Sequence, residues 1–183
     1  MDFNFTGEQE EFRREVRSFL QEELRPEKVA RYRDPKEEHL WSAEYTHMFN
    51  RQLGAKGWYG MSWPAEYGGH GKDFAFASIL GYEIARAGAP TSGNGPSMVG
   101  PSLMLFGNED QRNFFLPKIA KGEIFCCQGY SEPGAGTDLA ALQCRSVADG
   151  VDFVINGQKI FTTNAHISDW VWLATRTDPT APK

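Results

Sequence analysis

The hydrophobic period of this chain changes once, near Gly122, and that change settles most of what it can fold into. Before it, apolar residues recur at the three- and four-residue spacing of a helix face; after it they alternate, as along a strand. Phe12, Val16, Phe19, Leu20 and Leu24 form one stripe behind Thr6-Gly-Glu-Gln9. That tetrad fits a capping box, in which the threonine hydroxyl accepts an orphan amide and the glutamine reaches back. Pro26 stops this helix. A second helix carries Tyr45, Met48, Phe49 and Leu53 and ends between Gly54 and Gly57. A third, from Phe74 to Ala87, turns Ile79, Leu80 and Ile84 inward and stops at Gly88. A short apolar helix is expected from Ser97 to Phe106. Another, from Asp110 to Ala120, carries Phe114, Phe115, Leu116 and Ile119, and Pro117 is expected to end or kink it. Between the second and third helices, Trp58-Tyr-Gly-Met-Ser-Trp-Pro-Ala-Glu-Tyr-Gly-Gly-His-Gly71 holds too much glycine for a regular element. Its interleaved aromatics predict a loop pinned to a core. Gly93, Gly95 and Pro96 make a further loop.

Past Gly122, Val151, Phe153 and Ile155 alternate with Asp152, Val154 and Asn156, the pattern of a half-buried strand. Asp149-Gly150 and Asn156-Gly157 are hairpin signals, because these residues tolerate positive φ. Trp170 to Thr177 reads as one more strand and Asp178 to Lys183 as a loop. The expected class is therefore α+β: a helical domain over 1–122, then an incomplete antiparallel β domain over 123–183. A meander of three or four strands would leave an exposed edge, which proteins normally pair, cover or charge. The expectation is a fragment, or a subunit that needs a partner.

Composition excludes several classes. The net charge of −5 argues against nucleic acid, which wants a basic face. No apolar run reaches bilayer length, and the first residues, Met1-Asp-Phe-Asn-Phe-Thr, lack the basic and apolar regions of a signal peptide. Cys126, Cys127 and Cys144 make a poor disulfide framework and show no metal-ligand spacing. Buried reduced thiols in a cytoplasmic protein are expected. The histidines at 39, 47, 70 and 166 are scattered and receive no chemistry, so no metal site is assigned. Thirteen Phe, six Tyr and five Trp suit a large core or an aromatic ligand site.

Two segments carry more. Gln128-Gly-Tyr-Ser-Glu-Pro-Gly-Ala-Gly-Thr-Asp138 is followed by Asn156-Gly-Gln-Lys-Ile-Phe-Thr-Thr-Asn164. Each alone is a weak turn signal, but in this order and spacing they resemble the flavin-binding motifs of the acyl-CoA dehydrogenases. Ser62-Trp-Pro-Ala-Glu-Tyr-Gly-Gly69, Phe106-Gly-Asn-Glu-Asp-Gln111 and Phe115-Leu-Pro-Lys-Ile-Ala-Lys-Gly-Glu123 extend the likeness, which runs from about Phe3 to Asp178. Gln-Gly-Tyr-Ser-Glu-Pro looks like the branch that includes bacterial enzymes acting on bulky or unusual acyl-CoAs.

The resemblance implies FAD as cofactor, an acyl-CoA as substrate and electron-transfer flavoprotein or a similar acceptor as partner, in a homo- or hetero-oligomer. It assigns Gln128, Gly129, Tyr130 and Ser131 to the strand at the flavin's pyrimidine edge, with Gly129 allowing close approach. It puts Phe161 where the family usually has Trp against the ring, and Thr162 and Thr163 beside it, Thr163 hydrogen-bonding near N5. Thr137, at the family's usual Ser, would face the substrate or the cofactor phosphates. Both departures keep the chemistry, a flat apolar face and a hydroxyl. Without the motif, Phe161 would read as a core aromatic, and Ser131 and Thr163 as ordinary strand hydroxyls. In the family, a proton leaves the acyl α-carbon for a carboxylate as hydride leaves the β-carbon for the flavin. That base is usually a Glu of a C-terminal helical domain with no counterpart here, so no catalytic residue is assigned. Glu132 reads as fixing its loop. Three readings stay open: the N-terminal part of a dehydrogenase, a non-catalytic subunit of a heteromer, or an acyl-CoA oxidase or flavin monooxygenase on the same fold.

Overall fold

A computed structural model of the chain describes residues 4–33, 41–90, 93–178 and 180–181. Phe3, His39, Pro179, Pro182 and Lys183 lie outside them. The chain forms two compact units, Met1–Phe125 and Cys126–Lys183.

The first unit is helical. Helix α1 (Gly7–Glu23) starts at the expected capping box, with Thr6 accepting from the Gln9 amide and Gln9 reaching back. Val16 and Leu20 are its buried residues. Pro26 opens a short helix α2 (Pro26–Val29), taking the first-turn position where a missing N–H costs nothing. Helices α3 (Ala43–Ala55) and α4 (Phe74–Arg86) follow, capped by Ser42 and Asp73. The aromatic loop between them is pinned as expected: Trp58, Tyr59, Met61 and Trp63 are all buried. Phe12 and Phe19 of α1 meet Trp58 edge-on at 5.5 and 5.4 Å.

Two helical expectations are corrected. The helix expected from Ser97 is a π-helical turn over Gly95–Val99 that runs into α5 (Gly100–Phe106). Pro101 has no N–H to give back to the preceding turn, so the ladder widens there. Pro117 does not end α6 (Glu109–Ala120). Leu116 and Ile119 beside it are fully buried, and the Lys121 amide still reaches the Pro117 carbonyl at 3.1 Å. Packing outweighs the one hydrogen bond lost.

The second unit holds strands β1 (Cys126–Gly129), β2 (Arg145–Asp149), β3 (Asp152–Asn156) and β4 (Trp170–Leu173). The single meander suggested by the sequence does not form. β2 and β3 make an antiparallel hairpin turning at Gly150, φ 65°, as Asp149-Gly150 predicted. β1 and β4 pair in parallel, Cys126 opposite Trp170. The strand expected from Trp170 to Thr177 forms as β4 but stops at Leu173, and beyond it a parallel bridge joins Arg145 to Arg176. Asn156-Gly157 is not a hairpin: a Cβ on Gly157 would stand 2.6 Å from the Cys144 Cα, so the chain passes flat against β2's entry. β3 is exposed throughout, Phe153 at 60%, because no layer packs on the hairpin among the described residues. All three cysteines are buried free thiols. No described helix is long and apolar enough to cross a membrane.

Candidate functional site

The two motif segments lie side by side in the second unit. The Ile160 amide donates to the Ser131 carbonyl at 2.9 Å. The Lys159 ammonium donates to the Tyr130 carbonyl at 3.0 Å. The Trp172 indole N–H, from β4, donates to the Tyr130 hydroxyl at 3.0 Å. Tyr130 and Ser131, just beyond the end of β1, are thus held half-buried against the chain that leads into Phe161.

Phe161 is the unusual residue here. Its φ is 55°, a left-handed conformation that a bulky side chain rarely adopts, and its ring is 88% exposed. Strain of this kind persists only where the surroundings over-determine it, and it clusters at ligand sites. Thr162 follows, half-buried, its carbonyl accepting from the Ala165 amide at 3.2 Å. Thr163 is exposed, and Asn164 also has positive φ, 64°. The Phe161 face and the Thr163 side chain are therefore both open to solvent in this chain.

Glu132 fixes its loop, as its neighbour Pro133 implied. Its carboxylate accepts from the Gln143 amide at 2.6 Å, the Cys144 amide at 2.8 Å and the Lys159 ammonium at 2.8 Å. Burial pushes this carboxyl up, but Lys159 and the two amides outweigh it and hold it at about 2. A carboxylate so engaged is a poor general base at neutral pH.

The remaining motif residues fall as follows. Gln128 is half-buried on β1. At Gly129 a Cβ would meet Leu173 at 2.9 Å and Val171 at 3.0 Å, so β4 side chains use the space beside it. Thr137 is exposed, past the turn in which Glu132 and Ala135 exchange backbone hydrogen bonds. Burial pushes the Cys126 thiol up to about 11, with the Asp169 and Cys127 charges adding to it, so it is inert. Lys159 and Trp172 are site residues that local sequence pattern does not single out. Lys159 stood inside the second motif two residues before Phe161, which was the available signal.

The first unit contains its own cavity of about 630 Å³, within the range of small-molecule sites. Trp58, Met61 and Trp63 of the pinned loop line it, with Phe74, Ala77 and Gly81 of α4 and Ser97, Pro101 and Met104 around α5. The Trp63 indole donates to the Pro96 carbonyl at 3.0 Å, tying the loop to the π-helical turn.

Residues 6–123 match the family model described as acyl-CoA dehydrogenase, N-terminal domain, and residues 127–183 match the acyl-CoA dehydrogenase middle domain. Among curated relatives, acyl-CoA dehydrogenase FadE26 of Mycobacterium tuberculosis is 42% identical over 98% of this chain, which spans 44% of that relative. Among solved structures, the Tcur3481-Tcur3483 steroid ACAD matches with TM-score 0.85 and 40% identity, over 100% of this chain and 46% of that one. The ChsE4-ChsE5 complex from Mycobacterium tuberculosis matches with TM-score 0.87 and 41% identity, over 98% of this chain and 44% of that one.

Proposed function

The chain belongs to the acyl-CoA dehydrogenase family, and from that membership we propose that it is the N-terminal and middle-domain part of an FAD-dependent enzyme that desaturates an acyl-CoA thioester between its α and β carbons. The observation that carries the reading is Phe161, strained, exposed and anchored beside Ser131. An exposed aromatic side chain, joined through Ile160 to the Ser131 backbone and followed two residues on by Thr163, fits an isoalloxazine ring. In this reading Phe161 packs flat on that ring, and Gln128, Tyr130, Ser131 and Thr162 line its edge. Thr163 hydrogen-bonds near N5, and Thr137 faces the thioester or the phosphates. Gly129 supports this edge from behind by letting β4 close on β1. Bound there, FAD supplies the acceptor for the hydride.

The apolar cavity of the first unit receives the acyl group. Its volume and aromatic lining favour a bulky, ring-containing acyl chain, in keeping with the matched solved structure whose name carries the word steroid. No carboxylate of this chain is assigned as the base, because Glu132 is already taken by three donors. We place the enzyme in the cytoplasm, where buried free thiols persist. It works as an oligomer, homomeric or heteromeric, and passes electrons to electron-transfer flavoprotein or a similar acceptor.

The test is acyl-CoA-dependent reduction of an artificial electron acceptor by the protein at its natural length, beside the 183-residue chain alone. The natural-length protein should form enoyl-CoA from a ring-containing acyl-CoA, and the chain alone should not turn over. Absence of enoyl-CoA across straight, branched and polycyclic thioesters would sink the reading.

A further inference from the structure

We infer that Glu132 and Lys159 form a positioning clamp, a buried ion pair that fixes where the Phe161 turn sits against the Tyr130–Ser131 backbone. The geometry is that of a three-way tie. Tyr130 and Glu132 are two residues apart, the first offering its backbone carbonyl and the second its carboxylate. The Lys159 ammonium reaches both, the Tyr130 carbonyl at 3.0 Å and the Glu132 carboxylate at 2.8 Å. Glu132 in turn holds the Gln143 and Cys144 amides, which lead into β2. One ion pair therefore joins residues 130–132, 143–144 and 159–160.

The side chains of Lys159 and Glu132 are 10% and 6% exposed. Two charges so enclosed are costly to desolvate, and removing either leaves the other uncompensated. An apolar pair of similar volume would fill the same space without that cost, so bulk stability alone does not require charges here. What the charges add is direction. A Lys159 drawn to two fixed acceptors sets the backbone that follows, and the next amide, Ile160, closes on Ser131 at 2.9 Å. Phe161 comes immediately after, in its left-handed conformation. The clamp is what over-determines that strained residue. Neither member is catalytic: the lysine acts through the Ser131–Ile160 ladder, and the glutamate through the lysine.

That the clamped turn seats a flavin rests on the function proposed above, so the experiment separates the two claims. Amide hydrogen exchange is measured on the natural-length protein for Lys159→Met, Glu132→Gln and Lys159→Arg. In parallel, FAD affinity of the natural-length protein carrying each change is read by flavin fluorescence. Lys159→Met and Glu132→Gln should speed exchange at Ile160 by about tenfold, and Lys159→Arg, which keeps charge and donors, should restore most of the protection. The Ala174 amide, bonded to Gly129 between β1 and β4 at 3.1 Å, should stay protected. FAD affinity should fall in the same order as Ile160 protection. Unchanged exchange at Ile160 in Lys159→Met overturns the clamp. Equal loss at Ala174 also overturns it, because the pair then merely holds the unit folded. Faster exchange at Ile160 with unaltered FAD affinity upholds the clamp and overturns the flavin reading.

Discussion

A phenylalanine with φ 55° and an 88% exposed ring gains neither a relaxed backbone nor burial from its position. Left-handed backbone on a residue other than glycine costs on the order of 1–3 kcal/mol. Phe161→Gly should therefore leave the folded chain as stable or more stable, by up to about 1 kcal/mol once glycine's greater unfolded freedom is counted. Phe161→Val, β-branched at the same angle, should destabilise it. Chemical denaturation of the three proteins checks the order, and a Phe161→Gly variant clearly less stable than the native chain would mean that the ring is packed after all. The motif made this residue visible, because it stands where the family usually has Trp. Its strain was not visible, since no local pattern in Lys159-Ile-Phe-Thr162 asks for positive φ. Lys159 was hidden in a similar way. Beside Asn156-Gly157 a lysine reads as a solvated turn residue, and only the fold brings it to Glu132 and Tyr130.

Helices α1 and α4 are held together by a carboxylate as well as by their apolar faces. Glu83 of α4 accepts from Arg13 at 2.8 Å and from two nitrogens of Arg17 at 2.9 Å, with its side chain 3% exposed. The Arg17 hydrogen bond pulls this carboxyl down, against the opposing push of burial, and Arg13 adds to it, leaving it at about 2 rather than 4.5. A carboxyl depressed in the folded state gives its stability in full above its unfolded value and loses it as pH falls toward its folded one. The α1–α4 contact should thus be level down to about pH 4.5 and weaken between there and about pH 2. Melting followed at α1 and α4 amides should show this, and Glu83→Gln should be weaker at neutral pH with a flatter acid response. An identical acid slope in Glu83→Gln would remove Glu83 as the cause. The helices themselves were legible from apolar spacing and local stops, because their hydrogen bonds are local: α1 starts at its capping box and ends before Pro26, and α3 and α4 end beside the glycines that mark them. The parallel pairing of β1 with β4 was not, because it joins Cys126 to Trp170 and nothing local encodes such a register. The exposed β3 misled for a related reason, since alternation marks a face that can be covered and does not say what covers it.

At the scale of the molecule, each unit brings one half of the proposed chemistry. The helical unit has a wide apolar cavity, and the strand unit has the exposed Phe161 two residues after the lysine of a buried ion pair. The chain spans 44% of FadE26 and 46% of the matched steroid ACAD chain. In the site we propose, residues 128–131 and 161–163 seat the flavin that the substrate reduces. Anaerobic bleaching of the flavin on adding acyl-CoA, in the protein at its natural length, tests it most directly in Thr163→Val, with Thr175→Val as the control outside both motifs. A hydrogen bond removed from one side costs about 1–3 kcal/mol. Thr163→Val should therefore slow bleaching or lose flavin by about five- to 150-fold, while Thr175→Val leaves both near native. Unchanged bleaching rate, flavin content and flavin spectrum in Thr163→Val would contradict the account.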